Sequence, residues 1–144
     1  MRFLGDDKTL HVHEWTTEAG LKARLVFTRC EFFCGYVGVP KEHAFHGVEP
    51  RYSNNDYLES EVANLEVHGG ITFAQDFCPP NYEENAGLWW LGFDCNHCDD
   101  LRYEDRKQVQ PPDYPWPMYF KDENYVMAEC EKLARQIVDW KAAL

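Results

Sequence analysis

Four side chains able to bind a metal or move a proton stand out in this sequence: Asp94, His97 and Asp100 in one short stretch, and His68, which a neighbouring strand could bring beside them. Histidines mixed with carboxylates suit a divalent metal, and the same groups could form an acid/base pair for hydrolysis. The bland alternative is a His–Asp hydrogen bond that holds a loop. His68 is followed by Gly69-Gly70, a bend whose backbone N–H groups could face a phosphate, although Gly-Gly also simply relieves crowding. Cys95-x-x-Cys98, with His97 between, looks like half of a zinc knuckle. The nearest second pair is Cys30 and Cys34. On extended backbone these lie ~13 Å apart, too far to share an ion or to join in a disulfide. Cys95 and Cys98 are therefore expected to pack in the core or a loop. His43-x-x-His46 has helical ligand spacing within a polar excursion. Tyr36, Trp89, Trp90 and Trp116 offer stacking surface for a base, unless they fill the core. The sequence contains no nucleophile-elbow serine, Walker loop, dinucleotide fingerprint or HExxH motif.

Strands and one helix must position these groups. Leu88–Asp94 alternates as a strand, with Trp89, Leu91, Phe93 and Cys95 on one face. The other face carries Leu88, Trp90, Gly92 and Asp94, and its gap at Gly92 suggests the floor of a site. Residues 24–29 and 31–39 are β-branched and aromatic and read as two strands, with Pro40 ending the second. Leu10, Val12 and Trp15 alternate with His11 and His13 in a further short strand. Residues 40–63 read as a long excursion with one helical turn. Across 64–74, a single strand bent at Gly69-Gly70 puts Leu65, Val67, Ile71 and Phe73 on one face, whereas a hairpin would mix polar with apolar partners. Residues 101–120, with Pro111-Pro112 and Pro115-Trp116-Pro117, read as a stiff connector.

The C-terminal segment has the clearest periodicity. Val126, Cys130, Leu133, Ile137, Trp140 and Leu144 form one apolar stripe. Asp122 is placed to cap the helix, and Glu131–Arg135 and Arg135–Asp139 are i,i+4 pairs. This helix should lie across the sheet or against its twin in a homodimer. The fold class is α+β: a mostly antiparallel sheet of about five strands with one long C-terminal amphipathic helix, in a single domain spanning 1–144.

The charge balance narrows the partners. Against 14 Lys+Arg stand 25 Asp+Glu, a formal net charge of −11. Broad nucleic-acid binding and anionic membranes both need a cationic surface, so neither is expected. No stretch approaches the ~20 apolar residues of a membrane span, and residues 1–8 lack a signal-peptide core. A cytoplasmic setting with reduced cysteines follows as the expectation.

Several of these segments form an ordered set: Tyr36-Val37-Gly38-Val39-Pro40 with His43, Val67-His68-Gly69-Gly70-Ile71-Thr72-Phe73, Trp89-Trp90-x-Gly92-Phe93-Asp94-Cys95-x-His97-x-x-Asp100, and Tyr125-Val126-x-Ala128-Glu129. The set resembles a family of small, mostly uncharacterised proteins of bacteriophages and prophages, over roughly residues 15–144. The family pattern usually has a small residue where this chain has Cys98, which argues against an essential Cys98. The resemblance implies a phage accessory protein in the bacterial host cytoplasm.

Three functional readings follow. The first is a counter-defence factor that sequesters a nucleotide-like immune signal through His68, Gly69, Gly70, Trp90, Asp94, His97, Tyr36 and His43, with Arg24 or Arg102 neutralising phosphate. The second is a small hydrolase of such signals, using His/Asp chemistry or a divalent metal held among His68, Asp94, His97 and Asp100. The third is an acidic inhibitor of a host nuclease or of a restriction or CRISPR component, acting through carboxylates such as Asp56, Glu59 and Glu61.

Overall fold

The computed structural model describes residues 9–51, 56–82, 87–97, 100 and 120–142. Along the chain come β1 (Thr9–Thr16), β2 (Lys22–Thr28), β3 (Phe33–Val39), α1 (Tyr57–Ala63), β4 (Phe73–Gln75), β5 (Trp89–Asp94) and α2 (Glu123–Asp139). The five strands form one sheet in the order β1-β2-β3-β5-β4, and each neighbouring pair runs antiparallel. The α+β architecture expected from the sequence is therefore observed. No helix among the described residues is long and apolar enough to cross a membrane.

Tight turns build the first three strands into a meander. Between β1 and β2, the Thr17 backbone N–H donates to the Leu21 carbonyl at 2.8 Å, and Gly20 supplies a φ of +98°. Between β2 and β3, Thr28 N–H donates to Phe32 O at 3.0 Å while Glu31 takes the left-handed conformation. Strand alternation then sorts the side chains onto two faces. Ala23, Leu25, Phe27, Phe33, Val37, Val39, Leu91 and Phe93 join the larger core, which α2 covers with Val126, Cys130, Leu133, Ala134 and Ile137. Burial of each large apolar side chain contributes roughly 1.5–3 kcal/mol. Asp122 caps α2 by accepting from Tyr125 N–H at 2.9 Å. The apolar stripe of α2 thus lies across its own sheet. It continues to Trp140, the cap residue, whose ring packs against the core 4.7 Å from that of Phe45, while Leu144 lies outside the described residues. Arg135 meets Asp139 at 3.4 Å as the spacing implies, whereas Glu131 accepts from Trp15 Nε1 and the Glu18 backbone, tying α2 to the β1–β2 turn.

The opposite face carries Val26, Cys34, Tyr36, Trp90 and Cys78, flanked by Val12, Phe32, Phe73 and Leu88. Arg24 is buried among them. It donates to Glu14 at 2.7 Å and to the carbonyls of Cys78 and Pro79 at 2.9 and 3.2 Å, and its guanidinium lies 5.1 Å from the centre of the Trp90 ring. The segment carrying the cis Pro79-Pro80 bond is therefore held down on this face by one cation. Arg24 is fully engaged in that task rather than held out for a phosphate, and Arg102 lies outside the described residues.

Two expectations need correction. The gap at Gly92 is filled: a Cβ there would sit 2.5 Å from Tyr36 Cδ1, so the aromatic ring occupies the space a side chain would take. Residues 65–73 are not one bent strand. Gly69 and Gly70 both have positive φ (+69° and +79°), and Gly70 N–H donates to Val67 O at 2.8 Å, so the chain turns there. The segment before the turn finds its polar partners on α2. Glu66 N–H donates to Gln136 Oε1 and Glu66 O accepts from Gln136 Nε2, at 2.8 and 2.7 Å. A helix flank thus replaces a neighbouring strand. Leu65, Val67 and Ile71 do share the helix-side core, but Phe73 emerges on the other face against Tyr36. The expected helical turn within 40–63 is α1, seven residues long and capped by Asp56. The expected connector over 101–120 lies outside the described residues, apart from Phe120.

Candidate functional site

Three separate segments converge at the end of β5 beside the start of α2. The turn after Val67 brings His68, the chain leaving β5 brings Cys95 and Asp100, and the first turns of α2 bring Tyr125 and Glu129. His68 Nε2 lies 2.8 Å from Asp100 Oδ2, and His68 Nδ1 lies 2.9 Å from the Tyr125 hydroxyl. The His68 backbone N–H donates to Glu129 Oε1 at 2.8 Å, which fixes the turn on the helix. Glu129 is in turn paired with Lys132 at 3.0 Å.

Asp100 is the hub. Its side chain is only 1% exposed. It accepts from the His97 backbone N–H at 3.0 Å, and Lys121 Nζ stands 3.0 Å from its other oxygen. Burial works against its negative charge, but hydrogen bonds from His68, from the His97 backbone and from Lys121 outweigh that penalty and hold its carboxyl below the usual value. Cys95 is buried beside it, and burial together with the Asp100 charge pushes the thiol well above its ordinary range. One ligand atom each from His68, Cys95 and Asp100 lies within 4.8 Å of the others, a grouping able to hold a metal ion.

A second pair sits against the first. His97 Nε2 is buried without a hydrogen-bond partner among the described residues, 3.4 Å from Asp94 Oδ1. Its ring lies over Gly69, where a Cβ would approach Nε2 to 2.1 Å, and stands 5.7 Å from the His68 ring. Asp94 also accepts from Thr72 Oγ1 and from the Asn96 backbone, both at 3.1 Å.

The fold therefore unites His68 with Asp100 and Asp94 with His97, and sets the two pairs side by side. The ligand grouping, however, is completed by Cys95 rather than by Asp94 or His97. Strand parity placed Cys95 on the core face, which is correct, but that is also where the turn carrying His68 arrives. Cys98 lies outside the described residues. Tyr36 and Trp90 belong to the opposite face and are buried there. His43 is remote from the site and engaged at both nitrogens. Nδ1 accepts from Phe45 N–H at 3.0 Å and Nε2 donates to Ile137 O at 2.6 Å, so it locks the end of α2. Gly69 and Gly70 shape the turn and accommodate His97.

Tyr125, Glu129 and Lys121 are the site residues that reading for ligands and bases passes over. Tyr125 and Glu129 are one helical turn apart beside the apolar stripe, a spacing that puts both on the helix flank. Lys121 carried no comparable signal. No family model matches the chain, and neither the curated proteins nor the solved structures contain a match. The phage resemblance rests on its motifs alone.

Proposed function

We propose that this protein is a small metal-dependent hydrolase whose divalent ion is held by His68, Cys95 and Asp100, acting on a nucleotide-like signal in the phage counter-defence setting that the motifs suggest. The convergence of those three ligand atoms, His68 from the turn after Val67 and Cys95 with Asp100 from the chain leaving β5, carries the reading. A mixed N, S and O set favours zinc-class ions, and three protein ligands leave the fourth position that catalytic zinc sites keep for water or substrate. Such an ion would supply a nucleophilic hydroxide near neutral pH.

The surrounding groups fit this use. Ligation through His68 Nε2 requires the proton on Nδ1, and Tyr125 Oη can accept it. Without an ion the proton sits on Nε2, donates to Asp100, and Tyr125 donates to Nδ1 instead. Lys121 and the His97 N–H keep Asp100 ionised and oriented throughout. The Cys95 thiol gives up its proton on binding, so affinity rises with pH.

Elemental analysis of the purified chain and titration with Co2+ test the site. One ion per chain is expected, with the thiolate-to-cobalt charge-transfer band lost in Cys95→Ala and the affinity lost in His68→Ala. Incubation with cyclic and linear nucleotides, followed by heat denaturation, then separates hydrolysis from sequestration: altered products support the proposal, and recovery of intact ligand means capture. Failure to bind a metal, or Co2+ binding indifferent to Cys95→Ala, would falsify the metal site.

A further inference from the structure

On the opposite face of the same sheet end lies a pocket of about 230 Å3, lined by Phe32, Cys34, Tyr36, Thr72, Phe73 and Asp94 among others. This is below the roughly 300–1,000 Å3 of pockets that take drug-sized ligands, so it fits a single ring system. Its walls are aromatic. Phe73 meets the buried Tyr36 ring edge-on at 5.1 Å, and the partly buried Phe32 and Phe73 are the rings a further flat ring would meet. Burial raises both Cys34, to about 12, and Tyr36, so both are neutral at physiological pH. Asp94 is then the one charged group among the described lining residues.

That carboxylate decides the ligand's chemistry. It has about four acceptor positions. Thr72 Oγ1 and the Asn96 N–H occupy two of them and His97 Nε2 stands 3.4 Å from Oδ1, which leaves acceptor capacity on a side chain that is 32% exposed. An anion would be repelled here, and an apolar ring would leave the carboxylate unsatisfied. A ring edge with two adjacent N–H donors satisfies both oxygens in the planar, two-bond manner that is strongest for carboxylates.

We infer that the Asp94 pocket is a recognition subsite for the ring N–H and adjacent exocyclic amino group of an amino-oxo-pyrimidine ring, as found in guanine and in pterins. The inference stands independently of the hydrolase reading. Asp94 Oδ1 lies 3.4 Å from His97 Nε2, and the His97 backbone N–H donates to Asp100, so the pocket adjoins the His68–Cys95–Asp100 grouping through His97.

Titration calorimetry of the chelator-treated full-length chain with guanosine tests this, because guanosine has no phosphoester and binding needs no ion. Guanosine or pterin should bind, whichever is tighter naming the source. Inosine, which lacks the 2-amino group, should bind about tenfold more weakly or worse. Asp94→Asn should cost guanosine a similar factor, whereas His68→Ala should lose metal but keep guanosine. Equal binding of guanosine, inosine and adenosine by the wild-type chain overturns the inference even if Asp94→Asn fails to fold, and so does the absence of heat with all of them. Either result leaves the metal titration to stand or fall separately.

Discussion

Gly69→Ala and Gly70→Ala form a matched pair that isolates what the His97 ring contributes. Both glycines are left-handed, with φ of +69° and +79°. Alanine at either position costs about 1–2 kcal/mol for that conformation, offset by about 0.4–1 kcal/mol from a less flexible unfolded chain. Nothing lies within 4 Å of a Cβ at Gly70, so the balance there ends near 0.5–1 kcal/mol. At Gly69 the Cβ would fall 2.1 Å from His97 Nε2, and the ring must leave. Displacing it pulls the His97 N–H off the Asp100 carboxylate, a hydrogen bond to a charged group worth about 1.5–3 kcal/mol. Gly69→Ala should therefore destabilise by about 2–4 kcal/mol, a fall in Tm of roughly 6–12 °C for a chain of this size. Urea and thermal unfolding of the two variants, with Co2+ affinity measured alongside, provide the assay. Equal stability and equal metal affinity in the two variants would refute the link from Gly69 through His97 to Asp100.

Acid should expose the role of Asp100. Its carboxyl is held below the usual value in the fold, so its stabilisation is complete above the unfolded value of about 4 and is lost as pH falls through the lower folded one. Asp100→Asn should flatten the acid limb of a urea-unfolding series below about pH 4, and an unchanged slope would remove Asp100 from the acid-labile groups. Arg24→Met should cost about 3 kcal/mol, near the lower end for breaking a buried ion pair, because Glu14 is partly exposed while the Cys78 and Pro79 carbonyls are not relieved. Arg24→Lys should recover little of that, since an ammonium cannot fork between Glu14 and two carbonyls; full recovery in a thermal melt would contradict the fork.

Much of this fold is legible in the sequence because hydrophobic periodicity decides it. β-Branched and aromatic composition marks 24–29 and 31–39 as strands, alternation along 88–94 assigns its side chains to their faces, and the four-and-three spacing of Val126, Cys130, Leu133 and Ile137 sets the covering side of α2. The turn at Gly69-Gly70 was not legible for a physical reason. Parity assumes that an extended segment satisfies its backbone on another strand, whereas Glu66 and His68 do so on Gln136 and Glu129, more than sixty positions away. His68 and Asp100 stand out as candidates by residue type, whereas Cys95, the third member of the grouping able to hold an ion, falls on the core face by strand parity. A core face and a ligand cluster can coincide wherever a polar turn is folded over an apolar strand end.

The strand order also has a consequence for assembly. β1, β2 and β3 are joined by short turns and can zip as they emerge, each closing a small loop. β5 must instead cross all of residues 40–88 to reach β3, and β4 has no partner until β5 is in place. Closing that long loop is entropically costly and slow relative to the hairpins. Every residue of the His68–Cys95–Asp100 cluster belongs to the late-joining part of the chain. If His68, Cys95 and Asp100 hold an ion, it would bind once these late-joining segments have met and would act as a latch on that step of folding.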